Sequence, residues 1–395
     1  MNRKFLVGEK SSKRQELSRN KKGMIKNYDA IVIGGGLVGT AVAYGLMRLG
    51  KKVVILDEGD IAYRASRGNF GLVWVQSKGF GVPEYQQWTR RSSEAWIDFS
   101  AELKKQTGIF TGHERPGGVT ICLSESELEK RQALMSQLHL EAGETQFEYE
   151  ILNHSQLKRL IPAIGPDVVG GSYTPYDGHA NPLYTLRALH TALIKNDSHY
   201  VPESKVEYIH AAPNDFSISV RGHTYCAPRL VLGAGLGNKR LGQMVGLNVP
   251  VTPVRGQIIV TERINPVLHM PTLMIRQTSE GTIMIGESRE EAGFDDATTP
   301  EVIRTLSDRA VKTFPFLRNL RVVRTWGALR VMAPDGLPIY EQSKQFPGAF
   351  VCTCHSGVTL AASHALYFSQ YVADGQLPKF LDRFNTSRFD VLAAA

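Results

Sequence analysis

Along the chain, short unbroken apolar runs alternate with stretches in which apolar residues return every three or four positions. The first kind predicts strands buried on both faces, the second amphipathic helices. Asp29-Ala30-Ile31-Val32-Ile33 and Val53-Val54-Ile55-Leu56 are runs of the first kind. Between them, Thr40 to Leu49 has a helical pattern rich in Ala, Leu and Met and stops at Gly50. Glu84 to Lys105 is a longer helical pattern carrying Trp88, Ala95, Trp96 and Phe99. Val119 to Leu123 reads as a strand, and Ser124 as the cap of a charged helix from Glu125 to about Leu140. Val249 to Thr261, Thr272 to Arg276 and Thr282 to Gly286 read as strands of an antiparallel sheet, and Thr299-Pro300-Glu301 opens another helix. The fold class expected is α/β, with a second unit of α+β type.

The first strand runs straight into Gly34-Gly35-Gly36-Leu37-Val38-Gly39, which fits G-x-G-x-x-G at Gly34, Gly36 and Gly39. Gly34 permits the tight turn, Gly36 lets the backbone approach a pyrophosphate, and Gly39 lets the helix pack close to the strand. Leu37 and Val38 of the same loop are expected cofactor contacts, and the free N–H groups and positive end of the helix that follows hold phosphate charge. Asp57 and Glu58 close the second strand, where an acid accepts hydrogen bonds from ribose hydroxyls; Asp57 stands 23 positions after Gly34. Side chains alternate along a strand, so only one of the two acids faces the ligand. Asp57, which continues the apolar run, is the preferred one, and either acid argues against NADP. Strand, glycines, helix, second strand and acid follow in order within 30 residues, far more specific than the glycines alone. This is a Rossmann-like dinucleotide site, but the motif does not separate NAD from FAD.

The next segment does. Ile61-Ala62-Tyr63-Arg64-Ala65-Ser66-Arg67-Gly68-Asn69-Phe70-Gly71 is Gly-rich and polar where an NAD domain runs into another helix. Here the sequence resembles the D-amino acid oxidase, glycine oxidase and sarcosine oxidase family of flavoproteins. The resemblance implies that this stretch passes under the pyrophosphate and flavin ring, with Ser66, Arg67, Gly68 and Asn69 as FAD contacts. Asp177 to Leu183 resembles the family's D-G-x-x-x-P turn before a long helix and reads as architecture. His179 within it reads as a turn residue, because no acidic neighbour in the sequence would tune it as a base. By the same resemblance Val206, in an expected strand, offers a backbone group to adenine. Arg229 to Gly235 is a second strand-and-glycine approach to the cofactor, and Pro253-Val254-Arg255-Gly256-Gln257 begins the large sheet of a substrate domain.

Trp326-Gly327-Ala328-Leu329-Arg330, followed by Pro334-Asp335-Gly336-Leu337-Pro338-Ile339, resembles W-x-G-x-R and then D-G-x-P-x-I of the family. The matching arginine pairs with the substrate carboxylate in amino-acid-oxidising members, which implies that role for Arg330. Two parallel charge-assisted bonds fix a carboxylate's orientation, as hydride transfer from Cα to flavin N5 requires. Cys352 to Ala361 resembles a G-H-x-x-x-G-x-x-x-A segment ending under the flavin, which implies contacts from His355, Gly357, Val358, Thr359 and Leu360. Cys354 departs from the usual glycine, and the spacing to Gly357 is shorter. Of the tryptophans, Trp326 is the one expected to line the active site; Trp74, Trp88 and Trp96 read as packing.

The resemblance thus implies FAD-dependent oxidation of an amine or amino acid at its CH–NH bond, with a small amino acid or secondary amine as substrate. Val331-Met332-Ala333 offers no cysteine for covalent attachment, so FAD is expected to be non-covalent. Arg64 to Asn69 and Thr353 to Gly357 look most like the FAD-bearing subunits of opine oxidases, hydroxyproline dehydrogenases and bacterial hydrogen cyanide synthases. Partner subunits accepting the electrons are therefore implied. The domains expected are an FAD-binding domain at 28–80, 153–246 and 325–395 and a discontinuous α+β substrate domain at 81–152 and 247–324, with a large, mostly antiparallel sheet. Two alternatives stand beside this reading: a flavin-holding electron-transfer subunit with no substrate site, and a flavin-dependent RNA-modifying factor.

Charge adds little to the picture. The chain has 395 residues and a formal net charge of +8, but residues 1–27 hold nine basic and two acidic side chains. That leaves a body of 37 basic and 36 acidic groups, so no nucleic-acid partner is expected from the body. Residues 1–27 read as a disordered basic leader. Four cysteines do not make a disulfide framework, and no transmembrane run, zinc pattern, Walker loop or G-x-S-x-G is present. No metal is expected, and a cytoplasmic location is.

Overall fold

Four apolar residues in a row with no polar face need cover on both sides, and Ala30–Ile33 and Val53–Leu56 receive it. In the computed structural model, which describes residues 24–59, 65–286 and 288–390, these strands lie inside a six-stranded sheet. The order is Ile339–Gln342, Ala349–Thr353, Arg229–Leu232, Ala30–Ile33, Val53–Leu56, His199–Val201. The first pair is antiparallel and the rest are parallel.

Alternation decides which residue meets which cover. Ile31, Ile33, Val54 and Leu56 pack with Phe216, Ile218 and Tyr225 of a small four-stranded sheet. Ala30, Val32, Val53 and Ile55 pack with Val42, Ala43 and Leu46 of the helix Leu37–Arg48 and with Phe368 and Val372 near the C-terminus. Each Val, Leu, Ile or Phe among them contributes about 1.5–3 kcal/mol by leaving water. The helix Pro83–Thr107 lies on this side, with Trp88, Trp96, Phe99 and Leu103 buried, and ends at Gly108 with φ 77. The small sheet contains Ile25–Asn27, paired parallel to His223–Ala227. Ile25–Asn27, expected to belong to the leader, is therefore part of the fold; residues 1–23 of that leader lie outside the described residues.

The second layer is antiparallel. Ile275–Gln277, Thr282–Ile285, Thr252–Arg263 and Val322–Met332 neighbour one another in that order. Gly118–Cys122, Gly170–Thr174 and Glu150–Asn153 form a three-stranded sheet beside them. A parallel bridge from Val119 to Thr272 joins the two, with Leu273 N–H donating to the Val119 carbonyl at 3.1 Å. Together they are the large, mostly antiparallel sheet read from the sequence. Ser124 caps the helix Glu125–Ala142 by accepting from Glu127 N–H, as its position implies.

Two expected boundaries fall inside this layer. Gly170–Thr174 pairs with strands on both sides, so the chain leaves the layer after 174 and not at 153. Gly-Gly-Ser-Tyr-Thr carries no apolar alternation by which to recognise a strand. Val322–Met332 pairs with Thr252–Arg263 up to Met332, so the return to the first layer follows 332 and not 325. Among the described residues no helix is long and apolar enough to cross a membrane.

Candidate cofactor and substrate site

A cavity of about 630 Å³ extends from the glycine loop to the antiparallel layer. At its first end the helix Leu37–Arg48 begins on Gly36 with no acid in its first turn, so its positive end meets no internal countercharge. Gly34 has φ 108, and a side chain there would stand 2.5 Å from the Gly233 carbonyl oxygen. A Cβ on Gly39 would stand 2.1 Å from the Gly34 carbonyl oxygen. Gly34, Gly36, Leu37 and Val38 line the cavity, while Gly39 lies behind them as the contact that seats the helix on the strand. Leu37 N–H donates to Ser66 Oγ at 2.9 Å, which closes the second segment over the first.

Asp57 and Glu58 both line this end. Asp57 is 5 % exposed, and its Oδ2 accepts from Tyr200 OH at 2.6 Å. Its N–H donates to the Val201 carbonyl at 3.1 Å, and its carbonyl accepts from Ser204 N–H at 2.7 Å. Gly235 and Val206 line the same end. Val206 is not in a strand: it stands between His199–Val201 and His210–Ala212, because the backbone turns at Glu203, whose φ is 53, and Ser204 N–H makes the last bond to the Asp57 carbonyl. Its carbonyl accepts from Arg240 Nη2 at 2.6 Å.

Ser66, Arg67, Gly68 and Asn69 line the middle. Asn69 Oδ1 accepts from Gly71 N–H at 2.8 Å and so shapes its own turn. Gly68 lies against the antiparallel layer: its carbonyl accepts from Trp326 Nε1 at 3.2 Å. His355, Gly357, Val358 and Thr359 form another part of the wall. Leu360 does not: it is fully buried in the core of the first layer. Cys352 and Cys354 reach the wall. Burial pushes the Cys354 thiol up to about 12, and a thiol held protonated is a poor nucleophile.

At the far end Arg330 stands opposite Val254 in the ladder. Its Nη1 donates to the Ser288 carbonyl at 2.6 Å and to the Arg255 carbonyl at 3.2 Å. A Cβ on Gly256 would stand 2.4 Å from that nitrogen, so the glycine of the P-V-R-G-Q segment is the floor beneath the guanidinium. Lys78 and Arg289 line the same cavity. Lys78 Nζ donates to Ser356 Oγ at 2.9 Å, which Tyr85 OH also approaches at 3.1 Å. Loss of hydration first, then Lys78, Arg330 and Arg289, hold the His355 imidazole well below its usual value, so it is neutral. Asp335 lines the cavity too, but Arg388 Nε holds it at 2.7 Å.

Tyr200, Lys78, Arg289 and Trp74 belong to this site and no spacing in the sequence marks them. Trp74 lines the cavity, whereas Trp326 stands outside it and acts on Gly68 from behind. His179 has an acidic neighbour after all: Glu114 Oε2 lies 3.6 Å from its Nε2, brought there by the bridge between Glu114 and His179. Asp177 is fully buried and accepts from Val75 N–H at 2.5 Å and from Gln76 Nε2 at 2.6 Å. Among the described residues no group of His, Cys, Asp and Glu could hold a metal ion.

The model of the FAD dependent oxidoreductase (DAO) family matches residues 29–371, which include the glycine loop, Asp57, Arg330 and the 352–361 segment. The chain belongs to this family of FAD-dependent oxidoreductases. It is 42% identical over 366 residues to one of the subunits of opine oxidase from Rhizobium meliloti, covering 93% of this chain and 99% of that protein. It is 25% identical over 417 residues to the HcnC subunit of hydrogen cyanide synthase from Pseudomonas aeruginosa, covering 94% of this chain and 99% of that protein. The crystal structure of glycine oxidase from Geobacillus kaustophilus shares the fold, with a TM-score of 0.81 at 23% identity over 92% of this chain and 99% of that one.

The residues present suit FAD. The glycine loop turns a helix N-terminus without an acid in its first turn toward the cavity, which suits phosphate, and the Ser66 hydroxyl sits beside it on Leu37 N–H. Asp57 suits a ribose, and the Trp74 indole N–H, 3 % exposed in the cavity wall, meets no acceptor among the described residues. A buried donor without a partner is costly unless a ligand satisfies it.

Proposed function

We propose that this oxidoreductase acts on the CH–NH bond of a small amino acid or secondary amine, and that Arg330 holds the substrate carboxylate. The observation supporting this reading is the anchored Arg330 fork at the cationic end of the cavity. Two carbonyls grip one nitrogen and fix the plane of the guanidinium before any ligand arrives. A preset planar fork suits bidentate binding of a carboxylate. FAD, held by the glycine loop and the Ser66 to Asn69 segment, would supply the two-electron acceptor for a hydride from Cα.

The protein's own contribution is orientation and charge. Lys78, Arg289 and Arg330 disfavour a protonated amine beside them, so the substrate nitrogen is held neutral with its lone pair available. His355, neutral itself, does not compete for the carboxylate. The imine product hydrolyses in water, and no dedicated acid–base residue is required. The relatives from opine oxidase and hydrogen cyanide synthase are both named as subunits, which supports electrons leaving through a partner chain.

Replacing Arg330 with Leu tests the reading. We expect FAD to stay bound and kcat/KM for an accepted amine to fall at least about a hundredfold. The measurement is a survey of D-amino acids, sarcosine, proline derivatives and opines by anaerobic flavin bleaching. Unchanged bleaching in Arg330→Leu would favour a flavin-holding electron-transfer subunit without its own substrate site.

A further inference from the structure

Arg276 is 3 % exposed on the strand Ile275–Gln277 of the antiparallel layer. Its Nε donates to the Phe70 carbonyl at 2.5 Å, and its guanidinium lies 5.6 Å from the Phe70 ring centre. Nη2 faces the Met284 sulfur at 3.2 Å, and Nη1 lies 3.4 Å from His179 Nδ1. A guanidinium can only donate, so Nδ1 of His179 accepts and the ring proton sits on Nε2, toward Glu114.

A carbonyl, a thioether, an imidazole nitrogen and an aromatic ring surround this cation; among the described residues it makes no ion pair. Burial, only partly offset by the more distant charge of Glu280, lowers its pKa to about 10, which leaves it charged at neutral pH. Buried charges are normally paired, so one without a contacting acid calls for an anion elsewhere. The wall between Arg276 and the cavity is one residue thick: Phe70 lines the cavity, and a Cβ on Gly71 would stand 2.7 Å from Nη2. The adjoining Ser66 to Asn69 segment lines the same cavity. The group expected there gains negative charge when it is reduced.

We propose that Arg276 is the buried positive charge that favours the reduced form of bound FAD, acting through the Phe70–Gly71 wall. His179 and the Phe70 carbonyl hold it in place, and Glu114, half-exposed beyond His179, partly opposes its field. The effect is electrostatic, directed at charge that develops on reduction. This inference rests on the FAD site alone and not on the substrate reading, so the two fail separately.

The test uses the holoenzyme and sulfite, which adds its sulfur lone pair to an oxidised flavin and leaves the ring anionic. Sulfite affinity and the reduction potential of bound FAD both read charge stabilisation without any amine. Arg276→Gln keeps a donor for Phe70 and loses the charge; we expect sulfite to bind about tenfold more weakly and the potential to fall. Arg276→Lys keeps the charge and should stay within about threefold of the parent. Parent-like sulfite affinity in Arg276→Gln with FAD bound, or equal losses in both variants, would overturn the proposal. Should Arg276→Gln not retain FAD, Glu114→Gln decides: removing the opposing charge should tighten sulfite about two- to threefold. Unchanged or weaker binding in that variant refutes the idea.

Discussion

The first end of the cavity is built from backbone and the far end from side chains. Gly34, Gly36, Leu37 and Val38 present peptide groups from one turn of chain, with Asp57 following at the end of the next strand. At the far end, Lys78, Gly256, Arg289, Arg330 and His355 come from five separate segments. Backbone recognition is bound to the fold that produces it, since the loop that holds a phosphate also joins strand to helix. Side-chain recognition is separable, because each group can be altered while the scaffold stands. One end should therefore fail as a unit and the other in parts.

Gly39→Val should do the most damage. Its Cβ would lie 2.1 Å from the Gly34 carbonyl, and that carbonyl is backbone that cannot move aside. We expect a loss of at least about 3 kcal/mol and no retained FAD, read by thermal melting and by visible flavin absorbance. Normal FAD content in this variant would break the claim that fold and phosphate recognition are one device there. Gly256→Val should separate the two ends. It pushes into Arg330 Nη1, the far end of a side chain that can shift, so FAD should stay while kcat/KM falls at least about tenfold. FAD loss as complete as in Gly39→Val would mean that the ends are not independent.

The smallest effect lies in the scaffold under Lys78. Asp177 holds Val75 and Gln76, and burial raises its carboxyl from 3.8 to about 7. Below the ordinary carboxylate range both folded and unfolded chains carry this proton, and the group contributes nothing. As pH rises toward 7 the unfolded chain has released it while the folded chain still holds it, so stability falls through that window. Urea midpoints at about pH 5 and about pH 8 should show a decline in the parent. Asp177→Asn should flatten that decline; an unchanged slope would remove Asp177 from the explanation.

The same contrast governs what the sequence makes legible. The glycine loop reads plainly because its parts are local: a turn, a close approach and an acid, each demanding a residue type within 30 positions. Gly39 reads equally well, as packing. Leu360 reads as a contact only through its motif, and the helix that follows turns it into the core. Arg330 is visible through resemblance alone, since nothing local distinguishes one arginine from another. Lys78, Arg289 and Trp74 leave no trace because tertiary folding brings them together. Val206 lines the cavity but not from a strand, since the backbone turns at Glu203 before it. The misplaced boundaries have a related cause: Gly170–Thr174 lacks a period, and Ala328 to Arg330 lines the cavity while belonging to the antiparallel layer.

The order of the six-stranded sheet bears on how the protein is made. Ala30–Ile33 lies between Val53–Leu56 and Arg229–Leu232, and the next strand out is Ala349–Thr353. On a translating ribosome the nucleotide loop emerges early, yet one flank of its own strand stays bare until residue 232 has been synthesised. Such non-local pairing is slow to form and leaves sticky edges exposed meanwhile. The segment around His355 arrives later still, so a nascent chain cannot close its cradle until most of it has left the exit tunnel. Cofactor loading is therefore a late event in the life of each molecule, and a ligand that binds only the closed cradle stabilises the folded chain from that stage on.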